Sequence, residues 1–432
     1  SVGILGGMYP AFILSSFRPV ENLKANKSVE TSASAKLRAV LVIFQFAVSI
    51  ALFVSTAVVY GQMLYAKNMD LGYDHENLLI INDLGREDAR AKLPTLVKEL
   101  RRMPQVSNVT WSRFTPGSVN ENNTFIRTPE MSSEDVILIG NRGQGYEYFK
   151  TYKIPMVAGR EYDINRSDLD VSSDDIRAGK GALYPIIINQ SGLRKLGFKS
   201  AEEAIGKIVY TGVGSPQEKL EAERKIIGVV PDVHFDSLKK TIRPEIYDLD
   251  STYARAISIR FSGDPTTMVD QARALWQQEI ITVPFDYNFA EDSLAKQYQA
   301  ETGQATLFAA FSGLAIFIAC LGLYGLASFT AERRTKEIGI RKIMGATIFD
   351  IVKLLLWQFS KPVMIANLIA WPISYYAMTI WLESFVYRIE SFMIIGFCLM
   401  AGLSALLIAW STVASNSIRV AKSNPINALR YE

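Results

Sequence analysis

Two histidines and two cysteines are the side chains best suited to bond-making chemistry in this 432-residue sequence. His75 and His234 do not stand at the His-x-x-x-His spacing that would turn two imidazoles toward one metal from a helix face. The sequence contains no Gly-x-Ser-x-Gly elbow, no Cys-x-x-Cys pair and no Gly-x-x-x-x-Gly-Lys-(Ser/Thr) phosphate loop. Acyl transfer, dithiol exchange and ATP binding by that loop therefore lack their residues. The carboxylates of "EYDINRSDLDVSSDDIRAG" (161–179) miss the glycine and closing glutamate of a Ca²⁺ loop, and read as a solvated loop. His234 follows an apolar run and reads as a surface residue at a strand end, while Cys320 and Cys398 fall inside apolar runs and read as small core side chains. The chain is expected not to be an enzyme, with no metal or cofactor of its own.

What remains is non-covalent chemistry, concentrated in "FTAERRTKEIGIRKIMGATIFDIVKLLLWQF" (329–359). On a helix, Glu332 with Lys336, Arg333 with Glu337, and Glu337 with Arg341 stand four residues apart and support one another. Ile340, Ile343 and Met344 form an apolar patch beside these charges, and Gly345 then allows a bend. Beyond it Ile348, Ile351, Val352 and Leu355 resume an apolar stripe, opposite Asp350 and Lys353, as in a helix lying on a membrane surface. A basic flank touching lipid head groups would account for the charges. The apolar patch among them favours a protein partner.

The elements that must hold this stretch are membrane spans. A hydrocarbon core takes about 20 residues to cross, and four uncharged runs are long enough: 39–60, 305–330, 362–381 and 391–418. A charge at the centre of such a run would cost about 2.5–3.5 kcal/mol. Hydrophobic residues make up 49% of the chain, too many for an ordinary soluble enzyme and too few for membrane alone. The net charge of +3 is unevenly spread, with basic clusters at 18–38, 333–342 and 419–430. The positive-inside rule puts all three in the cytoplasm. Residues 67–300 then lie outside, between the first and second spans. Tyr60, Tyr65, Tyr375, Tyr376, Trp381 and Tyr387 gather at the outer interface, where amphipathic rings settle.

The outer segment alternates strand and helix. "NLLIIN" (77–82), "VSNVTW" (106–111), "YPIIINQ" (184–190), "KIIGVVPDVHF" (225–235), "AISIRF" (256–261) and "FDYNFAED" (285–292) read as strands. Residues 87–103 and 267–280 read as amphipathic helices, with Pro94 delaying the start of the first. This order predicts an α+β domain with an insertion, built of two subdomains. The expected fold is thus an α-helical membrane protein with four complete spans and a large extracytoplasmic α+β domain between the first and second. The opening "SVGILGGMYPAFIL" (1–14) reads as the tail of a preceding span, followed by a cytoplasmic linker (15–38), a span and stalk (39–66), the outer domain (67–300), three spans (301–418) and a cytoplasmic tail (419–432). The pattern Pro-(Val/Ile)-x-x-Leu-(Lys/Arg) occurs at Pro19 and again at Pro425, as if each copy of a four-helix unit ended in the same tail.

"ERRTKEIGIRKIMGA" (332–346) closely resembles the signature loop of the FtsX/MacB-type permeases of ABC transporters. "GYEYFKTYKIPMVAGREY" (145–162), "NQSGLRKLGFKSAEEAIGK" (189–207) and "IIGVVPDVHFDSLKKTIRP" (226–244) resemble the MacB-like periplasmic core of the same family. The resemblance implies the C-terminal half of a duplicated eight-helix permease in the bacterial inner membrane. Its ATPase partner would be a separate cytoplasmic subunit dimer that binds ATP and Mg²⁺. A second permease half or copy and a periplasmic partner would be further associates besides the bilayer, and nucleic acid would not be one. By the same resemblance Glu332, Arg333, Arg334, Lys336, Glu337, Ile338, Ile340, Arg341 and Lys342 would contact the ATPase, with Gly339 and Gly345 shaping the turn. The work done outside would be export or extraction of a peptide, lipoprotein or toxic compound, or activation of a cell-wall enzyme. A sensor with an outer ligand-binding domain is the alternative. It leaves the last two spans unexplained, and no output domain follows them in the sequence.

Overall fold

The computed structural model describes residues 32–118, 122–132, 134–166, 168, 178, 183–213, 220–333 and 335–421. The tail pattern at Pro19 and Pro425 and most of the acidic loop lie outside them. The chain divides into two compact units. One is the head, Val59–Gln304 with Ile380–Ile389; the other holds the remaining parts of the long helices.

Among its described residues the head contains eleven strands: β1 (Leu78–Ile81), β2 (Val106–Ser112), β3 (Asn123–Arg127), β4 (Ile137–Gln144), β5 (Ala158–Gly159), β6 (Tyr184–Asn189), β7 (Ile208–Val213), β8 (Leu220–Val230), β9 (Glu245–Leu249), β10 (Ala256–Phe261) and β11 (Tyr287–Phe289). Four of them lie side by side in the order β11-β1-β10-β2, all antiparallel. With helix α3 (Leu93–Leu100) after β1 and helix α7 (Pro265–Glu279) after β10, this is a split β-α-β arrangement. The sequence dictates it locally. Leu93, Leu96, Val97 and Leu100 make one buried face of α3, and Asp264 caps α7 by accepting from the Thr267 amide at 2.8 Å, with Pro265 in the first turn. Both faces of β1 are buried, Leu79 and Ile81 against the helices and Leu78 and Ile80 against an aromatic cluster of Tyr148, Phe149, Tyr152 and Phe235. The segment expected as one helix over 87–103 is two, Glu87–Ala91 (α2) and α3, broken at Lys92 ahead of Pro94.

The insertion sits between β2 and β10. Strands β4, β3, β7, β8, β6 and β9 follow one another, and β9 pairs back with β4 in parallel, so the six close on themselves. Ile126, Ile139, Ile186, Ile188, Val209, Ile226 and Ile246 meet in one buried cluster of this ring. Charge is buried here too. Arg142 donates through Nε to Glu245 at 2.7 Å, and Asn141 to Asp248 at 2.9 Å, with Arg224 3.6 Å from the same Asp248 oxygen. Burial opposes the charged form of Arg142, but Glu245 beside it holds the guanidinium above its usual pKa. Three expectations need correction. Strand β8 stops at Val230 because Pro231 follows, with no amide to give a ladder. The last strand ends at Phe289, and Ala290–Gln297 (α8), with Glu291 and Asp292 in its first turn, is a helix. His234 is not a surface residue: it is 8% exposed.

The second unit is built on long helices. Among the described residues four stretches are long and apolar enough to cross a membrane: Ala39–Asn68 within α1 (Ser32–Asn68), Gln299–Thr330 within α9 (Gln299–Arg333), α11 (Ile348–Glu383), and Phe392–Ser415 within α12 (Phe392–Ala421). Buried residues recur every four positions on α1 (Val42, Phe46, Ile50, Val54, Val58), while Val40, Leu41 and Phe44 face outward, a stripe facing neighbours and an apolar surface left for lipid. Phe46 and Ile50 meet Ile316 of α9 and Ala401 and Ala405 of α12 around a small crevice. The third span starts earlier than the uncharged run suggests, because α11 passes through Pro362 and Pro372 without ending.

Candidate coupling site

The charged stretch folds as a helical elbow. Helix α9 ends at Arg333, and a short helix α10 (Thr335–Ile343) follows. Glu337 and Arg341 form the ion pair their spacing predicts, at 2.8 Å, with both side chains about half exposed. A pair this open contributes a few tenths of a kcal/mol at most. Its value is in fixing the helix surface. Gly345 has φ of +95°, the left-handed conformation that L side chains avoid. Across it the Ala346 amide donates to the Arg341 carbonyl, and the Met344 amide to Ile340, closing the helix end in a Schellman arrangement.

The next helix begins two residues later. Thr347 and Asp350 cap each other: the Thr347 hydroxyl donates to Asp350 Oδ2 at 2.6 Å, and the Asp350 amide donates to the Thr347 hydroxyl at 3.3 Å. The elbow is therefore closed by a glycine stop on one side and a capping box on the other. The signal Thr-x-x-Asp just after a glycine was readable in the sequence and went unused there.

The elbow's apolar residues are divided. Ile338 is buried, whereas Ile340, Ile343 and Met344 are 52%, 67% and 82% exposed. Phe349, in the first turn of α11, is 73% exposed. Exposed apolar side chains thus stand on both sides of the Gly345 turn, on the same short helix as the Glu337–Arg341 pair and at the start of the next helix. Glu332, Arg333, Lys336, Gly339 and Lys342 are placed on the helices by their backbone, and Arg334 lies outside the described residues. Among the described residues no group of three or more His, Cys, Asp or Glu side chains gathers as a metal site.

Residues 309–425 match the FtsX-like permease C-terminal family. The last three spans are an FtsX-like permease domain. The matched region contains the elbow, the last two spans, and the span before the elbow from residue 309 onward. Among curated proteins, the chain is similar to the macrolide export ATP-binding/permease protein MacB of Bartonella henselae, at 23% identity over 244 residues, which is 52% of this chain and 34% of that protein. It is also similar to MacB of Bartonella quintana, at 22% identity over 59% of this chain and 35% of that protein. The chain thus spans about a third of the length of these relatives. Among solved structures, the periplasmic region of MacB from Actinobacillus actinomycetemcomitans aligns with a TM-score of 0.33 and 16% identity, over 53% of this chain and 94% of that one. The extracellular domain of the noncanonic ABC-type transporter YknZ from Gram-positive bacteria aligns with a TM-score of 0.31 and 18% identity, over 49% of this chain and 98% of that one. The chain thus carries an FtsX-like permease C-terminal domain at residues 309–425, with four helices long and apolar enough to cross a membrane among its described residues, and it is similar to MacB proteins over about half its length.

Proposed function

We propose that the chain couples ATP hydrolysis in the cytoplasm to movement of its head outside the bacterial inner membrane. A separate ABC ATPase dimer, which binds ATP and Mg²⁺, docks on the elbow formed by Glu332, Arg333, Arg334, Lys336, Glu337, Ile338, Ile340, Arg341 and Lys342, with Gly339 and Gly345 setting its shape. A second permease half or copy completes the transmembrane pair, and a periplasmic partner receives what the head delivers. The cargo class is a peptide, a lipoprotein or a toxic compound that is exported or extracted.

The observation that carries this reading is the exposure of Ile340, Ile343, Met344 and Phe349 on either side of a turn that is stopped by Gly345 and capped by Thr347 and Asp350. Apolar clusters this exposed, rimmed by charge, mark partner surfaces. Shifting a two-state head from 1:99 to 99:1 takes about 5.5 kcal/mol of differential binding. A capped helical elbow transmits such a bias without yielding. The helix Gln299–Arg333 runs unbroken from the last residues of the head unit to the start of the elbow.

Co-purification tests the partner. The full chain is expected to bring down a soluble ATPase containing a phosphate loop, and the Ile340→Asp/Met344→Asp variant to lose it while still inserting. A chain that retains the ATPase through both substitutions contradicts the assigned surface.

A further inference from the structure

The eight residues that join α11 to α12 are too few to pack on themselves, and the backbone amides of such a turn would ordinarily face water. Here they are taken up by the head. The Val386 and Tyr387 amides both donate to the Leu238 carbonyl, at 3.0 and 3.2 Å. Gln62, on the first stalk, is fully buried, and its amide group holds the turn twice: Nε2 donates to the Tyr387 carbonyl and Oε1 accepts from the Ile389 amide, each at 3.0 Å. Phe385, 1% exposed, packs with Leu238, Ala66 and Tyr298, and the Tyr298 hydroxyl accepts from the Leu238 amide at 2.9 Å. Lys239, paired with Glu301 in the first turn of α9, whose head-side end is the second stalk, lies 5.1 Å over the Phe385 ring.

Leu238 is thus the meeting point of three segments far apart in sequence: the first stalk, the second stalk, and the turn between the third and fourth spans. We propose that residues 380–389 are a clasped part of the head, so that the turn joining the last two spans moves with the head as one body. The geometry makes this more than surface packing. A side-chain amide buried on both its donor and acceptor atoms replaces water at two adjacent backbone positions, and each loses its partner if the turn slides. The third and fourth spans then hold the head through their connecting turn, in addition to the first and second spans, which continue into the head as stalks.

Hydrogen exchange on the full chain in lipid nanodiscs tests the clasp without any partner. The Val386, Tyr387 and Ile389 amides are expected to be protected, and Gln62→Ala to speed their exchange about tenfold or more, with the amides of β1 and β10 unchanged. Leu238→Ala, which leaves Gln62 in place, serves as a second variant should Gln62→Ala loosen the whole head, and it is expected to act in the same direction. Unprotected turn amides in the wild type, or rates untouched by both variants, overturn the proposal.

A second arm rests on the proposed function. Spin labels at Ser384→Cys and Glu202→Cys, in a Cys320→Ser/Cys398→Ser background, report the distance from the turn to the head. The distance is expected to stay the same with and without the ATPase and Mg-ATP. A change beyond the width of the distribution overturns the one-body claim. Failure of any ATPase to bind would count against the proposed function alone, and the exchange arm would still decide the clasp.

Discussion

The Ala346 amide reaches back five residues to the Arg341 carbonyl at 2.9 Å, and the bond forms because Gly345 between them takes a left-handed turn. Apart from its own chain neighbours, nothing lies within 4 Å of where a Gly345 side chain would begin. The requirement is therefore conformational and not steric. Gly345→Ala is expected to cost about 1–2 kcal/mol of elbow stability, and Gly345→Asn less, since asparagine tolerates this region better. Exchange rates of the Met344 and Ala346 amides in the two variants check the ranking.

Inside the membrane, Gly402 of α12 lies against Asn367 of α11. A methyl group at Gly402 would fall 2.3 Å from Asn367 Oδ1 and 3.0 Å from the Trp371 ring. The two helices approach this closely because glycine stands there. Gly402→Ala is expected to destabilise the bundle by about 1–3 kcal/mol, and adding Asn367→Ala to recover part of the loss. Thermal unfolding in detergent of the two single variants and the double variant gives the coupling. Strict additivity would contradict the contact.

In the head, Glu245 is buried on β9 with Arg142 as its partner. Removing one member of such a pair strands the other, so Glu245→Ala is expected to cost about 3–5 kcal/mol. Replacing both, as in Arg142→Met/Glu245→Leu, is expected to cost much less. Urea unfolding followed by tryptophan fluorescence measures both.

His234 stands edge-on to the Tyr387 ring, with centroids 4.4 Å apart at 88°. Burial lowers its pKa from the usual 6.5, against the opposing pull of Asp232 and Asp70. A folded-state pKa below the unfolded one means that the neutral ring stabilises the head above pH 6.5. That contribution is lost as the pH falls from there through the lowered folded value. Melting midpoints of the wild type are therefore expected to drop on mild acidification, and those of His234→Asn to drop less. Parallel curves would contradict the assignment.

The span count, the α+β head and several of its strands and helices were legible because each rests on local pattern: charge-free length for the spans, an apolar run for Leu78–Ile81, and a four-residue apolar face for Leu93–Leu100. The closed ring of strands was not. Strand β4, "ILIGNRGQ", carries an asparagine, an arginine and two glycines, and β9, "EIYDL", carries two acids. These residues are buried or half-buried because Arg142, Asn141 and Arg224 meet Glu245 and Asp248 from distant parts of the chain, a match that no window of sequence displays. His234 was misplaced for the same reason, since its ring partner is Tyr387. At the elbow the Glu337–Arg341 pair and the bend at Gly345 were readable from spacing and residue type. The capping of Thr347 by Asp350 was readable too, and the clasp at Leu238 was not.

The central claim is that force enters through the elbow. The measurement that tests it most directly is ATP hydrolysis by the partner ATPase in a reconstituted complex with the full chain. Glu337→Arg/Arg341→Glu and Ile340→Asp/Met344→Asp are each expected to reduce the chain's stimulation of hydrolysis about tenfold or more, a loss of at least about 1.4 kcal/mol of coupling, with membrane insertion and head exchange rates unchanged. Stimulation equal to the wild type in both variants would contradict the account.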